Sequence, residues 1–300
     1  MNRGETIARF RVPSGKKVRL ADYDPDWLPK ELRGLDKAAV KENTKRHVEK
    51  SIAELAAAQE VLWASDCHAL LVILQAMDAA GKDGIIEHVF SGMNPQGVRV
   101  HSFKQPSEEE LDHDFLWRCA KVVPERGAVG VFNRSYYEEV LVVRVHDELL
   151  EKERLPPGPR GKAFWNARYD SINDFERHLT RSGTVVVKIF LHISKEEQRR
   201  RFLARIDDPA KRWKFSLGDV RERQHWERYM RVYERVLAAT SGERTPWYVV
   251  PANHKWVARA IVADIVVKTI RDLGLQFPKI PLARNKELLE ARKLLEKEQE

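Results

Sequence analysis

Ala69-Leu70-Leu71-Val72-Ile73-Leu74, with Ala76-Met77-Asp78-Ala79-Ala80-Gly81-Lys82-Asp83-Gly84 close behind, decides how this chain is read. Six apolar residues without alternation mark a strand buried on both faces, as strands of parallel sheets are. The small-residue segment after it is a loop, and a helix is expected near Gly84. Set against the phosphate-binding pattern G-x-x-x-x-G-K-[ST], the Gly81-Lys82 pair is in place. Ala76 replaces the first glycine and Asp83 the closing hydroxyl.

The physics of the pattern survives both replacements. Backbone N–H groups at a helix start face an anion, and the helix dipole favours negative charge there. Ala79, Ala80, Gly81, Asp83 and Gly84 supply that backbone, and Lys82 has the reach for phosphate oxygens. The missing hydroxyl ordinarily holds Mg²⁺. Two carboxylates, Asp78 and Asp83, stand nearby, and magnesium prefers hard oxygen ligands. Asp78, inside the loop, is the better placed metal ligand; Mn²⁺ is the alternative ion. The plainer alternative is a strand–turn–helix with an incidental Gly-Lys.

Outward from this stretch, further strands are expected at Val98 to Phe103, Ala128 to Phe132, Val185 to Ile193 and Trp247 to Val250. Helical patterns run from Leu35 to Trp63 and over roughly 107–122, 136–150, 170–181 and 256–273. Strands alternating with helices imply βαβ units: an α/β fold with a mostly parallel sheet flanked by helices. Residues 1–34, with Pro13, Pro25 and Pro29, read as an irregular surface arm. Residues 35–275 form one domain, and 276–300 a charged tail that reads as a solvated or subunit-contacting helix.

The chain has 300 residues, 43% hydrophobic and 33% charged, enough for a substantial core under a heavily charged surface. A formal net charge of +8 favours polyanionic partners without choosing among them. Cys67 and Cys119 form no Cys-x-x-Cys pair and sit near no histidine cluster, which argues against a disulfide framework or a zinc site. Cys67, just before the first strand, is expected to be a small core residue. No signal-peptide pattern opens the chain, and the run Val185 to Ile193 contains Lys188 and is too short to span a bilayer. A soluble, cytoplasmic protein with no membrane partner is expected.

Two more segments carry chemistry. Gly127-Ala128-Val129-Gly130-Val131-Phe132-Asn133-Arg134-Ser135 is an apolar strand ending in polar residues. A second strand end in phosphate-binding enzymes carries a metal-holding acid, and here that place falls to Asn133. Arg134 is positioned to clamp a phosphoryl group, and Ser135 to cap the next helix. The region from Lys195 to about Thr240 reads as two helices broken near Asp208-Pro209. Arg201 and Arg205, four apart, share a face there, with Lys211 and Lys214 beyond; such a segment closes over phosphates as a lid. Trp213, Trp226 and Tyr229 could stack on bases, but their spacing favours the core.

Together with Asn94-Pro95-Gln96-Gly97, Phe103-Lys104, His113-Asp114-Phe115-Leu116-Trp117-Arg118, Trp213-Lys214, Pro251-Ala252-Asn253 and Lys255-Trp256, these pieces resemble the polyphosphate kinase 2 family over roughly residues 20–275. The resemblance implies a P-loop kinase-like three-layer fold with a helical lid at about 195–240. It implies Mg²⁺-dependent, reversible phosphoryl transfer between inorganic polyphosphate and a nucleotide, in a homo-oligomer (dimer or tetramer). The family's loop aspartate and lysine fall on Asp78 and Lys82, its second-strand arginine on Arg134, and its lid arginines on Arg201 and Arg205. Lys211, Lys214 and, more weakly, Lys104 join these as polyphosphate contacts. Asn133 followed by Tyr136-Tyr137-Glu138 resembles the subgroup that accepts AMP as well as ADP, with Glu138 near the acceptor. Two rivals stand beside it: a small kinase using ATP as donor, and a basic nucleic-acid-binding module, which the polyphosphate reading excludes.

Overall fold

The structure, a computed structural model, describes residues 3–298. Its sheet has five parallel strands: β1 Ala69–Ala76, β2 Val98–Ser102, β3 Val129–Asn133, β4 Thr184–His192 and β5 Trp247–Pro251. They lie in the order β2-β3-β1-β4-β5. β1 is central, with Leu74 opposite Asn133 of β3 and Ile189 of β4, and it is buried along all but its last residue. All five strands were legible to within two residues at either end. The chain turns to opposite sides after β1, so the carboxyl ends of β1 and β3 open a crevice at the switch point.

Helices cover the sheet: α1 Arg3–Phe10, α2 Lys37–Ser65, α3 Lys82–Val89, α4 Glu108–Asp112, α5 Trp117–Ala120, α6 Val142–Val145, α7 Lys162–Arg181, α8 Lys195–Asp207, α9 Leu217–Glu222, α10 Trp226–Thr240, α11 Lys255–Arg271 and α12 Leu282–Lys297. One group packs α1, α2 and α3 around the apolar α11; another packs α6, α7 and α10 together, with α7 on β4. In that second layer, Lys188 of β4 is fully buried and donates to Glu176 of α7 (2.5 Å). The hydroxyls of Tyr136 and Tyr137 donate to the same carboxylate at 3.0 and 2.8 Å. Among the described residues no helix is long and apolar enough to cross a membrane.

Several local expectations need correction. The first 34 residues are not an irregular surface arm: α1 buries Ile7 and Phe10, and Val12, Val18, Leu20 and Leu32 join the core. Val12 donates its N–H to Trp247 O (2.9 Å), and Arg3 reaches Asp264 (2.9 Å) and Glu54 (2.7 Å). Prolines break regular repeats here without preventing apolar burial. The helix expected over 107–122 is two short ones, because Asp114 accepts from Leu116 N (2.9 Å) and restarts the chain after His113. Over 136–150 only α6 is helical. Ser135 Oγ accepts from Tyr137 N (3.1 Å), and the buried tyrosines impose tight 3₁₀ turns instead. In the expected lid the chain breaks at Asp208-Pro209, where proline restricts its predecessor, and α9 adds a third helix. Trp226 and Tyr229 are core residues, but Trp213 is 78% exposed. Cys67 is exposed rather than packed; Cys119 is the buried one. The described part of α12 is exposed throughout.

Candidate active site

The loop between β1 and α3 takes its left-handed turns at Ala79 (φ 61°) and Gly81 (φ 114°). Ala76 closes β1 ahead of those turns, which explains why no glycine is needed there. A left-handed alanine costs roughly 1–3 kcal/mol and persists only where surrounding contacts over-determine it. Those contacts come from α8. Gln198 donates to Asp78 O (2.8 Å), and Arg201 Nη1 donates to Ala79 O (3.0 Å) and Ala80 O (2.8 Å). Lys82 Nζ closes the loop onto Ala76 O at 3.0 Å. With Gly81 as N-cap and no capping side chain, the first N–H groups of α3 are left for a ligand.

Lys82 is 9% exposed, and burial pushes its ammonium pKa down while the Asp78 charge resists. At the end of β3, Arg134 also sits left-handed (φ 66°) and donates to Asp78 Oδ1 (3.1 Å). Burial works to lower the Arg134 pKa, but the charges of Glu138 and Asp78 hold it above its ordinary value. Glu138 lies behind this pair. Burial raises its carboxyl pKa against the pull of Arg134 and Lys82, and Gln75, with its amide nitrogen turned to it, donates to Oε1 (2.9 Å). Asn133 Nδ2 donates to Asp83 Oδ1 (2.9 Å), while Asn133 Oδ1 is buried without a hydrogen-bond partner.

The loop and the end of β3 line a cavity of about 780 Å³. The loop from Asp78 to Gly84, Asn133, Arg134, Lys104, Arg201, Arg205 and Lys211 all reach it. Glu138 is not in its wall. Arg205 lies over the Phe202 ring (5.6 Å), and Lys211 pairs with Asp208 at the exposed mouth. The side chain of Lys214 lies outside the described residues. Arg201 departs from the expectation of a free phosphate-binding lid arginine. It is 7% exposed and all five of its N–H groups are engaged. Besides the two loop carbonyls, Nη2 donates to Ala252 O (2.5 Å) and Asn253 O (2.9 Å), and Nε to Glu197 Oε1 (2.7 Å).

Further lining residues were given no role from the sequence, Asp219, Lys255 and Arg259 among them. Asp219 of α9 enters the cavity, its carboxyl pKa raised by burial and by the Asp78 charge. Lys255 and Arg259 enter from the first turns of α11, four residues apart; that spacing was the available signal, hidden in a helix that otherwise reads as core.

The donor set suits a hard divalent cation. Asp78 presents a partly exposed carboxylate to the cavity, Asp83 a second, and Asn133 Oδ1 an orphaned oxygen. No histidine–cysteine–carboxylate cluster of metal-binding kind occurs among the described residues, so the cation would share its coordination with substrate oxygens and water.

A parallel sheet with a glycine–lysine loop, an uncapped helix start and a cationic cavity at its switch point defines a P-loop kinase-like protein. A family model described as Polyphosphate kinase 2 matches residues 38–277. The chain is 51% identical to an ADP-polyphosphate phosphotransferase of Rhodopseudomonas palustris, over 96% of this chain and 97% of that one. It is 43% identical to an AMP/ADP-polyphosphate phosphotransferase of Meiothermus ruber, over 95% and 100%. The crystal structure of Polyphosphate Kinase 2 from Arthrobacter aurescens TC1 superposes with a TM-score of 0.83, at 43% identity and 97% coverage of both chains. The chain belongs to the polyphosphate kinase 2 family and is an enzyme of phosphoryl transfer.

Proposed function

We propose that this enzyme moves the terminal phosphoryl group of inorganic polyphosphate onto AMP and ADP, reversibly and with Mg²⁺. One observation carries the reading. The α3 N-terminus, Lys82 and Arg134 converge in a cavity of about 780 Å³ whose walls also carry Lys104, Arg205, Lys211, Lys255 and Arg259.

The chemistry balances simply. A phosphate oxygen of the nucleotide forms a bond to the terminal phosphorus. The bridging P–O bond behind that phosphorus breaks, and polyphosphate leaves one unit shorter as an anion. The attacking oxygen is already ionised, so no strong base is required. What the protein supplies is position and neutralisation of spread charge. The α3 amides and Lys82 hold the transferring group, and Arg134, fixed by Asp78 and Glu138, faces the oxygens between donor and acceptor. Mg²⁺, or Mn²⁺, held by Asp78 with Asp83 and Asn133 Oδ1, would neutralise the same oxygens. Arg205, Lys211, Lys214 and Lys104 draw the polyanion in. Arg201 supports the loop, since it has no donor left for phosphate. Assembly as a homodimer or a tetramer, and a cytoplasmic location, belong to this reading.

Purified protein incubated with Mg²⁺, polyphosphate and either AMP or ADP, with ATP absent at the start, tests it. ADP from AMP and ATP from ADP are the expected products. Phosphorylation of nucleotide only when ATP is supplied would reassign the donor, and no phosphoryl transfer at all would reject the reading.

A further inference from the structure

Arg259 is 9% exposed and lies in the cavity wall. Among the described residues it has neither a hydrogen bond nor an ion pair. Its guanidinium sits 4.4 Å from the Trp256 ring and against the first turn of α3. Gly84 makes that approach possible: a Cβ there would stand 3.2 Å from Arg259 Nη2. Trp256 is itself held, edge-on to His88 and under Lys41. The guanidinium is therefore preorganised, with no protein acceptor for its N–H groups.

An unpaired cation in so buried a place is costly, and such groups are found paired or bound to a ligand. Around Arg259 the charge is predominantly positive. Lys255 stands one helical turn away on the same face, without an ion pair among the described residues, and Arg200, Lys211 and Arg205 line the same space. Burial lowers the Arg259 pKa, and the charge of Arg201 adds to this; Lys255 is lowered by burial and then by Arg201 and Arg259. The charge of Glu87 opposes this at Arg259, but Glu87 is largely exposed and lies 3.6 Å from His88 Nδ1.

The position relative to the reacting centre follows from α3. Asp83 faces Asn133 and β3 on one side, while Gly84 faces Arg259 and α11 on the other. The α11 side is thus separated from the side that carries Arg134 and Asn133.

We propose that Arg259 and Lys255 form a distal anion subsite that grips phosphates of the donor chain away from its reacting end. This rests on polyphosphate being the donor. The subsite makes affinity grow with chain length, since only a chain long enough to pass α3 reaches it.

Calorimetric titration of the full-length protein with inorganic tripolyphosphate and with long-chain polyphosphate tests the assignment, using wild type, Arg259→Gln and Lys255→Gln. Loss of a charge-assisted contact predicts long-chain binding weakened about tenfold in Arg259→Gln and about threefold in Lys255→Gln. Tripolyphosphate affinity and the nucleotide KM should stay within about twofold of wild type, because neither ligand extends to α11. Equal losses for short and long chains would overturn the distal placement, and wild-type long-chain affinity in both variants would overturn the subsite. Should Arg259→Gln fail to fold, Lys255→Gln decides alone, since Lys255 is exposed at the mouth. A wild-type protein that binds no polyphosphate at all would reject the donor reading itself, an outcome distinct from equal binding by wild type and variants.

Discussion

Two walls of the cavity each contribute a buried arginine, and they differ completely in how those arginines are satisfied. Arg201 of α8 has every N–H group on a protein acceptor, joining the loop carbonyls of Ala79 and Ala80 to the β5 exit at Ala252 and Asn253. Arg259 of α11, similarly little exposed, has no hydrogen bond among the described residues. A guanidinium can donate five times and no more. One that spends all five on backbone is part of the frame; one that spends none is available to a ligand. Cationic residues in a phosphate pocket therefore fall into classes that charge and helical spacing alone do not separate.

The largest expected effect lies at the loop the α8 wall supports. Lys82→Ala should lower kcat by about 10³-fold or more, the upper range for removing one preorganised transition-state donor. Its circular dichroism should match wild type, because among the described residues the lysine's hydrogen bond is to Ala76 O. A variant within tenfold of wild-type kcat would remove Lys82 from the reaction.

Arg201→Met comes next. It leaves four carbonyls without this donor and takes one of three donors from Glu197, which keeps Arg200, and breaking such a buried set costs about 3–5 kcal/mol. Melting temperature and kcat should both fall, kcat by about 10²-fold as the left-handed Ala79 turn loses its restraint. Arg201→Lys should not rescue, since three rotatable donors cannot bridge loop and β5 exit as a planar fork does. A rise in polyphosphate KM with kcat and melting temperature intact would place Arg201 among the ligand-facing cations after all. Arg205→Ala should show that opposite pattern: polyphosphate KM up about threefold to tenfold, kcat little changed, in keeping with one lost charge contact. Steady-state rates at varied polyphosphate separate the two residues directly.

How much of this was legible depends on where each interaction originates. β1 could be read because six apolar residues in a row fit little besides a strand covered on both faces, and the remaining strands came from their own apolar runs. Lys82 and Arg134 could be placed because each lies within the loop or strand end that positions it. Arg201 and Arg205 look alike in sequence: two arginines on one face of one helix, a turn apart. They are separated by a set of carbonyls from Ala79, Ala80, Ala252 and Asn253, distant in the chain and carrying no side-chain signature. Arg259 was hidden differently, in a helix whose Val257, Ala258, Ala260 and Ile261 are buried and read as core. The first 34 residues misled because three prolines suggested irregularity, and irregular backbone can still deliver Phe10 and Val12 to the interior.

A third arrangement of buried arginines gives the most pH-dependent effect. Arg118 and Arg168 share Glu139, the neighbour of Glu138: Arg118 Nη2 donates to its carboxylate at 3.3 Å, and Arg168 Nη1 to its backbone oxygen at 3.2 Å. Arg118 also donates to Lys104 O (2.9 Å), so the group ties the active-site turn to the end of β2. Burial, with Glu153 nearby, raises the Glu139 carboxyl pKa to about 7 despite both arginines. A carboxyl raised above its unfolded value favours the folded state most while both states are protonated. That contribution is lost as pH climbs from about 4.5 toward 7. Glu139→Gln keeps the neutral, hydrogen-bonding form at every pH. Its melting temperature relative to wild type should therefore rise between pH 5 and pH 8, by an amount worth at most about 3 kcal/mol at ~1.4 kcal/mol per pKa unit. A difference that stays flat across that range, or moves the other way, would mean that the two arginines hold Glu139 ionised throughout, and that this third set is as fully paired as Arg201.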